Sequence, residues 1–385
     1  MEQRIRVAFV LDRTITYDRD LIMGIIQYSS LFSHWDFFLQ ATDFWETDKK
    51  RPLIIELKNW RPDCIVMNDN YFVSEFCEWG IPLFVSPSKK LLPGVINIIA
   101  DDKKIGGLGA QYFIDKGFKN LAFYGTDTIF WSKIRKNAYK DLVLSSGLNY
   151  FEFDALMENN WQDNHLNLAE WIKKLPKPVA VMACHDEFGS HLILAAKPNG
   201  INVPQDLAIL GVDNDEFICK LYDPPMSSID QVPKNVGYKV GQCIKSMIID
   251  GVKPTDNIIG TDFYVVTRRS TDIFAVEDVQ ILKALQFIKD NTGNKLLTVD
   301  AVVSSTSLSR RVLEIRFRKL LNRSILEEIK QVRIDSICQK LRFTNISISE
   351  IAYSMGFNSI SSFSNYFKKG KKFSPLDFRK QFQTG

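Results

Sequence analysis

Residues 350–369 read EIAYSMGFNSISSFSNYFKK, and this stretch decides the fold of the C-terminal part of the chain. Glu350–Met355 has the length and apolar spacing of a short helix, and Gly356 suits the left-handed backbone that ends a helix. A second helix follows, in which Phe363 and Phe367 lie one turn apart and share a buried face. The stretch therefore predicts a helix-turn-helix unit, in which a tight turn joins two short helices.

The outward face of this second helix is predicted to contact nucleic acid. In such units the N-terminal residues of the second helix reach base edges in the major groove of DNA. A basic run, Lys368-Lys369-Gly370-Lys371-Lys372, lies at the other end of the helix, and lysine side chains suit contacts to phosphate. The residues expected to face DNA in this unit are Ser359, Ile360, Ser361, Ser362, Asn365, Lys368 and Lys369.

An earlier stretch, from Thr298 to Leu321, predicts another unit with the same organisation. Val299–Ser304 fits its first helix, and Arg310–Leu321 fits its second helix, with Leu313 and Phe317 on the buried face. Arginine pairs well with guanine, and glutamate accepts a hydrogen bond from cytosine. The residues expected at the DNA surface here are Ser309, as the helix cap, and Arg310, Arg311 and Glu314.

Charge is divided unevenly between the two parts of the chain. From Glu277 to Gly385 there are 19 Lys and Arg against 10 Asp and Glu, a net charge of +9, whereas residues 1–276 carry a net charge of −5. An acidic body joined to a basic domain indicates that the basic domain meets a polyanion. With the two helix-turn-helix patterns, this charge predicts binding to double-stranded DNA. The long helix Ile325–Leu341 would hold the two units apart.

Residues 1–265 have a different pattern, in which short apolar runs alternate with amphipathic stretches. This alternation predicts a parallel α/β sheet with helices on both faces, a fold that binds ligands at the carboxyl ends of its strands. Residues 268–276 are interpreted as a linker. The predicted strands are Arg6–Leu11, Asp36–Gln40, Cys64–Met67, Leu83–Val85, Leu121–Tyr124, Val179–Ala183 and Leu207–Val212, and the predicted helices include Arg19–Leu31, Lys104–Lys116 and Asp186–Lys197.

The sequence lacks the motifs of several common enzyme classes. It has no GxGxxG after the first strand, and no GxxxxGK[ST], GxSxG or HExxH. The six cysteines form no CxxC pair, and the four histidines have no metal-binding spacing. We therefore expect a non-enzyme without catalytic residues, cofactor or metal. The chain starts on a strand pattern rather than a signal peptide, and its apolar runs are too short to span a bilayer, so we expect a cytoplasmic protein with no membrane partner.

The C-terminal motifs resemble the signature of the arabinose-operon-regulator family of DNA-binding proteins. The likeness is carried by Leu313–Arg318, Glu350–Phe357, Ser362–Lys369 and Phe373–Arg379. That family often has arginine where this chain has Asn365. The second unit is therefore expected to contribute more to positioning on the DNA backbone and less to base readout.

The N-terminal part resembles the lactose-repressor and periplasmic sugar-binding fold, in place of the small β-barrel sensor that most arabinose-operon regulators carry. Four stretches carry this likeness: Cys184–Glu187, Pro204–Leu207, Ile209–Glu216 and Ser227–Gln231. We therefore expect a two-lobed, periplasmic-binding-protein-like α/β sensor over residues 1–274, followed by an all-α double helix-turn-helix domain over residues 275–385. This combination resembles the bacterial xylose-operon regulators over essentially the whole chain.

The resemblance implies a sugar-binding cleft between two lobes of the sensor. Carboxylates accept hydrogen bonds from sugar hydroxyls, arginine and amides donate them, and tryptophan covers the apolar face of a sugar ring. The residues implied as ligand-binding are Tyr17, Asp18, Asn68, Asp101, Trp131, Arg135, Trp161, His185, Asp213 and Gln231. The charges at Asp102, Asp186 and Glu187 are interpreted as helix-start charges that the macrodipole favours.

The expected function is that of a sugar-responsive transcription regulator, with D-xylose as the effector that the resemblance implies. We expect a homodimer, and a cleft that closes on the sugar. The resemblance implies that the sugar-bound form activates transcription with RNA polymerase. Two alternatives remain open from the residues alone. The body could sense a non-sugar metabolite, or it could serve only for assembly, with a degenerate cleft.

Overall fold

A computed structural model describes the chain except residues 1–3, 32–34, 40–49, 70–71, 156–160, 253–255, 277, 294–296, 322 and 383–385. Contacts divide the chain into two compact units. Unit 1 contains residues 1–110 and 120–272, and unit 2 contains residues 111–119 and 273–385. The domain limits 1–274 and 275–385 stay a prediction.

Unit 1 is built from strands that alternate with helices, as the sequence predicts. Its described strands are β1 Ile5–Val10, β2 Trp35–Leu39, β3 Cys64–Asn68, β4 Leu83–Ser86, β5 Ile96–Ala100, β6 Asn120–Gly125, β7 Asn149–Asp154, β8 Val179–Ala183, β9 Leu207–Val212, β10 Ser227–Asp230, β11 Ile258–Gly260 and β12 Tyr264–Val266. Its described helices are α1 Thr16–Ser29, α2 Lys50–Trp60, α3 Val73–Cys77, α5 Phe130–Ser145, α6 Trp161–Lys174, α7 Asp186–Ala196, α8 Glu216–Leu221 and α9 Pro233–Ile248, and helix α4, Asp102–Asp115, contributes residues to both units.

Two six-stranded sheets form the two lobes of unit 1. Lobe 1 has the strand order β11-β5-β4-β3-β1-β2, and lobe 2 has the order β12-β10-β9-β8-β6-β7. The strand pairs are parallel, apart from the antiparallel pair of β10 and β12. From the order of these strands, the chain passes between the lobes after β5, after β10 and after β11. Two lobes joined by a few connections can open and close about a hinge.

One hydrophobic core of lobe 1 lies between its sheet and the paired helices α1 and α9, and a second lies on the other face of the sheet. Val7 and Phe9 on β1 are fully buried in the first core. The two helices touch at a glycine pair. A Cβ atom on Gly24 would lie 2.0 Å from the carbonyl oxygen of Lys234, and one on Gly237 would lie 2.0 Å from that of Leu21. Only glycine allows this close backbone approach.

The predicted strands and helices are present, with ends that shift by a few residues, and Gln40, the predicted end of the second strand, lies outside the described residues. The first strand is Ile5–Val10, one residue earlier than predicted, and the first helix is Thr16–Ser29, three residues earlier at its start. The prediction did not include β5, β7, β10, β11 and β12.

The interpretation of residues 268–276 as a linker is wrong. Ser270 and Thr271 are completely buried. The Ser270 hydroxyl donates to the carbonyl oxygen of Ile209 at 2.6 Å, and its amide donates to that of Pro225 at 3.0 Å. Residues 268–272 are held in unit 1, where short polar side chains satisfy buried backbone groups, and residues 273–276 belong to unit 2.

Unit 2 is helical, as predicted. Its described helices in the C-terminal segment are α10 Val279–Asp290, α11 Val299–Ser304, α12 Arg310–Leu321, α13 Ile325–Phe343, α14 Ile348–Ser354, α15 Ile360–Lys371 and α16 Pro375–Phe382. Helices α10 and α16 were not predicted. Helices α11 and α12 form the first helix-turn-helix pair, and Leu313 and Phe317 are fully buried. Helices α14 and α15 form the second pair, with Phe363 and Phe367 fully buried.

Caps fix the ends of several helices in unit 2. Ser324 with Glu327, and Ser347 with Glu350, form capping boxes at the starts of α13 and α14. Each box satisfies two backbone N–H groups that the helix itself leaves free. Gly356 has a φ of 77°, so the left-handed turn predicted between α14 and α15 is present.

Residues 111–119 belong to unit 2 through specific contacts. The Arg323 guanidinium lies 3.2 Å from the Asp115 carboxylate and donates to the Asp115 carbonyl oxygen at 3.0 Å. It also pairs with Glu328. The Lys116 ammonium lies 5.1 Å from the centre of the Phe274 ring, and its carbonyl oxygen accepts from Ala275 N at 2.9 Å. This unit is therefore discontinuous in sequence.

The described residues contain neither a membrane-spanning helix nor a cluster of metal ligands. None of the described helices is both long enough and apolar enough to cross a membrane. Across the same residues, no group of three or more His, Cys, Asp and Glu side chains could hold a metal ion.

Candidate functional site

A cavity of about 330 Å³ lies in unit 1, at the carboxyl ends of strands from both lobes. This is the edge where a doubly wound sheet binds its ligands. The cavity lies between the two lobes and is lined by residues of both, so a ligand in it would contact both lobes. It is lined by Asp12, Ile15, Tyr17, Asp18, Asn68, Asp69, Ser86, Pro87, Ser88, Ile98, Ile99, Ala100, Asp102, Phe130, Trp131, Arg135, Asp213 and Gln231.

Asp18 is the buried carboxylate of lobe 1. One of its oxygens, Oδ2, accepts from the amide of Asp12 at 3.0 Å and from Asn68 Nδ2 at 2.9 Å. Burial raises the pKa of Asp18 to about 6, although these two hydrogen bonds oppose the shift. The two donors tie α1 to the ends of β1 and β3, and the hydrogen bonds of the described residues leave the second carboxylate oxygen, Oδ1, to accept from a ligand.

Asp213 is the corresponding carboxylate of lobe 2, on a turn that directly follows β9. Asp213 and Asn214 have backbone φ values of 105° and 52°, which residues other than glycine rarely adopt. Gln231 Nε2 donates to the Asp213 carboxylate, and burial raises the pKa of Asp213 to about 6. Strain of this kind persists only where the surroundings hold it, and it is commonest at functional sites.

The surroundings of this turn hold it from three directions. Asp213 N donates to the carbonyl oxygen of Ile229 at 2.8 Å, and Asn214 N donates to the Ser228 hydroxyl at 2.9 Å. Asp215 N donates to the buried Asp186 carboxylate at 2.7 Å. Asp186 therefore does more than provide a charge at a helix start, because it fixes the turn that carries Asp213.

Arg135 is a buried cation in the cavity wall. Its Nε donates to Asp102 Oδ1 at 2.8 Å, and one terminal nitrogen donates to the carbonyl oxygen of Cys184 at 2.7 Å. Its guanidinium carbon lies 4.6 Å from the centre of the Trp131 ring. Burial raises the pKa of Asp102, and the charge of Arg135 opposes this. The ion pair and the ring stacking fix the guanidinium, so it can present its remaining N–H groups to a ligand.

Two predicted residues, Asp101 and His185, do not line the cavity. Asp101 accepts from Lys104 N at 3.1 Å near the start of α4. His185 caps α7 through Nδ1, which accepts from Glu187 N at 3.2 Å. Burial lowers the pKa of His185 to about 3, and its ring lies edge-on to Trp131, with 5.9 Å between centroids. Trp161 begins α6, and its side chain lies outside the described part of the structure.

The other seven predicted residues line the cavity together, and the structure adds residues that the sequence analysis missed. Asp102 was interpreted only as a helix-start charge. It is the first residue of α4, but its carboxylate also lies in the cavity wall. Asp12 and Asp69 also line the cavity, just beyond β1 and β3. Their position beyond strand ends is the signal that could have found them.

Helix α12, the first helix predicted to face DNA, differs in how far its predicted side chains are exposed. Arg311 is exposed at its start, whereas exposed Arg310 pairs with Asp300 at 2.9 Å. Glu314 was predicted to face outward, and this is wrong in part. It is half-buried, and its carboxylate lies 3.9 Å from Arg318 Nε. Ile315, which was not predicted, is exposed one turn after Arg311 on the same face.

Helix α15, the second helix predicted to face DNA, has a mostly uncharged outward face. Ser359 caps it, and its hydroxyl accepts from Ser362 N at 3.2 Å. The predicted outward residues are all exposed: Ser359, Ile360, Ser361, Ser362, Asn365, Lys368 and Lys369. Serine and asparagine can position a helix on phosphates as well as read bases, and the two lysines add positive charge at the other end.

Comparisons with known proteins show similarity in both parts of the chain. Residues 110–271 match the model of a periplasmic binding protein-like domain, and residues 302–381 match the model of a helix-turn-helix domain. These matches agree with the two-lobed α/β fold of unit 1 and the two helix pairs of unit 2. The predicted fold class is therefore confirmed.

Curated relatives extend this likeness over the whole chain. The xylose operon regulatory protein of Escherichia coli (strain K12) is 27% identical over 98% of this chain and 97% of its own length. That of Haemophilus influenzae is 27% identical over 98% of this chain and 99% of its own length. Among solved structures, that of a xylose-binding transcription activator covers 100% of both chains, with a TM-score of 0.62 at 24% identity, and shows the same fold.

Proposed function

We propose that this chain, in which a periplasmic binding protein-like domain precedes a helix-turn-helix domain as in the xylose operon regulatory proteins, is a sugar-responsive transcription regulator. It binds DNA through the helix-turn-helix domain and a monosaccharide through the cavity of unit 1. The proposed effector is D-xylose or a related monosaccharide, and the proposed outcome is activation of genes for its catabolism. The similar proteins are transcription regulators, not enzymes.

The cavity is the observation that supports a sugar ligand. Its wall combines carboxylates that accept from hydroxyls with amide and guanidinium donors, the mixture that a polyhydroxyl ring needs. Trp131 adds an aromatic ring to the wall, and aromatic faces cover the C–H side of a sugar. We propose as ligand-binding residues Tyr17, Asp18, Asn68, Asp102, Trp131, Arg135, Asp213 and Gln231.

The proposed mechanism is closure of the lobes. A sugar that contacts Asp18 in one lobe and Asp213 in the other binds the closed state better than the open state, and only such a difference can shift the equilibrium. In a homodimer, closure would change the spacing of the two DNA-binding domains and so their fit to half-sites. The homodimer and the contact with RNA polymerase are part of this proposal.

Calorimetric titration of the full chain with D-xylose, then with other pentoses and hexoses, tests the sugar ligand. We expect saturable binding of one sugar, with heat lost in Arg135→Ala and in Asp213→Ala, because each removes a fixed polar group of the cavity. Lys133→Ala is the matched control, since Lys133 is exposed on the same helix as Arg135. It should bind like the unaltered chain.

Two other results would redirect the proposal. Heat with a metabolite other than a sugar, lost in the same two variants, would show that the cavity is a sensor of a different chemical class. If neither sugars nor other metabolites bind, the body serves for assembly. Either result would leave the DNA-binding function standing.

A further inference from the structure

A hydrogen bond crosses the two lobes of unit 1 beside the cavity. The hydroxyl of Thr16, the first residue of α1 in lobe 1, donates to Asp215 Oδ2 in lobe 2 at 2.6 Å. Neither residue lines the cavity, but each has neighbours in the chain that do: Tyr17 and Asp18 on one side, and Asp213 on the other. The bond therefore lies just outside the ring of proposed ligand-binding residues.

The acceptor side of this bond is rigid. Asp215 Oδ1 caps α8, accepting from the amides of Phe217 at 2.9 Å and Ile218 at 3.2 Å. The other oxygen, Oδ2, is thereby left for Thr16. The Asp215 amide is bound to Asp186 at 2.7 Å, so the carboxylate is fixed from two directions.

The donor side is rigid as well. The Arg19 guanidinium donates to the Thr16 hydroxyl oxygen at 2.7 Å, and to the carbonyl oxygens of Arg13 at 2.7 Å and Thr14 at 2.8 Å. Arg19 occupies one of the two lone pairs of the hydroxyl oxygen, and the hydroxyl hydrogen is donated to Asp215. A short hydrogen bond from a hydroxyl to a charged carboxylate is stronger than a hydrogen bond between two neutral groups.

Resting on the proposed sugar-sensing function, we propose that Thr16 and Asp215 form a latch that exists only when the lobes are closed, and that this latch sets how long the sugar stays bound. Hinge opening separates the two lobes and exposes the Thr16 hydroxyl and the Asp215 carboxylate to water. A bond made in one state only shifts the population toward that state. The latch therefore slows sugar release without contacting the sugar.

A second contact between the lobes supports a closed arrangement. The amide of Phe130, at the start of α5, donates to the carbonyl oxygen of Ser88 at 3.2 Å. Asp69 holds the Ser88 segment, accepting from the Ser88 amide at 2.6 Å, from its hydroxyl at 2.9 Å and from Lys89 N at 3.1 Å. This second contact uses backbone groups, so Thr16 and Asp215 are the better targets for substitution.

Stopped-flow measurement of D-xylose binding and release, followed by tryptophan fluorescence, tests the latch. Thr16→Val keeps the shape of the side chain and removes the donor. It should raise the release rate about tenfold, because a hydrogen bond to a charged group is lost, and it should leave the association rate within about twofold. Thr16→Ser, which keeps the hydroxyl, should restore slow release.

A double-mutant cycle separates the latch from a general loss of structure. Asp215→Ser retains an N-cap for α8, since serine is a favoured cap, but its single oxygen cannot also reach Thr16. If the two residues act through their common bond, Thr16→Val/Asp215→Ser should release D-xylose no faster than either single variant. Release rates that multiply in the double variant would overturn the proposal.

A measurement without sugar keeps the latch testable if D-xylose does not bind. Spin labels on Cys77 of lobe 1 and on lobe 2 through Lys173→Cys, with Cys243→Ser, report the distance between the lobes. Thr16→Val should increase the fraction of long distances, and Thr16→Ser should not. An unchanged distribution in Thr16→Val would refute the latch. Absence of D-xylose binding with a shifted distribution would count against the proposed effector alone.

Discussion

Asp18 is a carboxyl group whose burial raises its pKa to about 6, against an ordinary value of 3.8. Because the folded chain holds the proton more tightly than the unfolded chain, the protonated group contributes stability that is present below about pH 4 and lost as the pH rises through 6. At neutral pH the ionised group therefore destabilises the sugar-free fold. Its second oxygen is then an open acceptor for a ligand hydroxyl.

We predict that Asp18→Asn stabilises the sugar-free chain at pH 7.5 and weakens D-xylose binding. An asparagine oxygen can still accept from Asp12 and Asn68, while the buried charge is gone. The gain should be on the order of 3 kcal/mol, since the pKa of Asp18 is shifted by roughly 2 units and each unit corresponds to about 1.4 kcal/mol. Urea unfolding at pH 7.5 and at pH 4 measures this gain in the free energy of unfolding, and the gain should vanish at pH 4.

The same substitution at an exposed aspartate of α5, Asp141→Asn, provides the control for Asp18→Asn. It should change the free energy of unfolding by less than about 0.5 kcal/mol at either pH. A loss of stability in Asp18→Asn at pH 7.5 would contradict the destabilising role of the ionised carboxyl group.

At the residue scale, the sequence predicted many of the residues that line the cavity, but not the direction in which each side chain points. Seven of the ten predicted ligand-binding residues line the cavity, some at strand ends and the others near the starts of the helices α1 and α5. His185 was predicted in the same way, yet its ring nitrogen caps a helix behind Trp131. Which side of a strand end a side chain faces depends on packing, and no spacing in the sequence reports it. Asp102 was missed for the same reason.

Helix α4 packs closely against the backbone of α5 at Gly106. A Cβ atom there would lie 2.2 Å from the carbonyl oxygen of Arg135, so a larger residue must move the backbone that carries this side chain. At the next position, Gly107, a Cβ atom would meet nothing within 4 Å. Two adjacent glycines of one helix therefore have opposite tolerance for a methyl group.

We predict that Gly106→Ala weakens D-xylose binding at least tenfold and destabilises unit 1 by about 1–3 kcal/mol, the usual cost of overpacking. Gly107→Ala should be neutral or stabilising by up to about 1 kcal/mol, because alanine favours a helix interior. Calorimetric titration and thermal unfolding of both variants measure the difference. Equal behaviour of the two variants would be inconsistent with the close packing of α4 on α5.

The lysines at the end of α15 are predicted to contact phosphate rather than bases. Lys368 and Lys369 are exposed, and neither faces the start of the helix where bases are read. Lys368→Ala/Lys369→Ala should therefore weaken binding equally for all DNA sequences. It should also lower the slope of log affinity against log salt by about 2, since each phosphate contact contributes about 0.9.

Fluorescence anisotropy with a duplex of random sequence, over a range of salt concentrations, measures this slope. Lys173→Ala/Lys174→Ala removes an adjacent, exposed pair of lysines from α6 of unit 1 and should leave the slope unchanged. An unaltered slope in the Lys368→Ala/Lys369→Ala variant would place these lysines away from the DNA.

At the element scale, apolar runs in the sequence predicted the strands whose buried side chains are hydrophobic. They did not predict a strand whose buried side chains are mostly polar. Strand β10 reads SSID and is fully buried. The Ser227 hydroxyl donates to the carbonyl oxygen of Arg268 at 3.0 Å, and the Ser228 hydroxyl donates to Asp186 at 2.6 Å. Partners distant in sequence satisfy these groups, so hydropathy cannot reveal the strand.

At the scale of the whole molecule, a sensor is joined to a DNA-binding domain. We predict that the sugar and the operator DNA change each other's binding affinity by the same factor. If D-xylose raises the affinity for operator DNA by some factor, then operator DNA must raise the affinity for D-xylose by the same factor. An operator selected from random duplexes by repeated binding allows both titrations. Arg135→Ala should bind DNA with the sugar-free affinity at any D-xylose concentration. DNA binding that D-xylose leaves unchanged would separate the two functions.

The order of the two domains could be predicted from the sequence, since the change from strand to helix patterns and the change of charge coincide near residue 270. The contribution of residues 111–119 to unit 2 could not be predicted. These residues are far in sequence from Phe274 and Arg323, and their contacts depend on the folded path of the chain.

That discontinuity has a consequence for anyone who builds chimeric regulators from this chain. A gene fusion that grafts residues 273–385 onto a foreign sensor would leave behind Asp115, and Arg323 would lose a carboxylate and a carbonyl acceptor together. The foreign helix end would also have to provide the cation that stacks on Phe274. The transplantable module is therefore the C-terminal segment together with a docking sequence copied from residues 111–119, inserted at the end of the recipient's own helix.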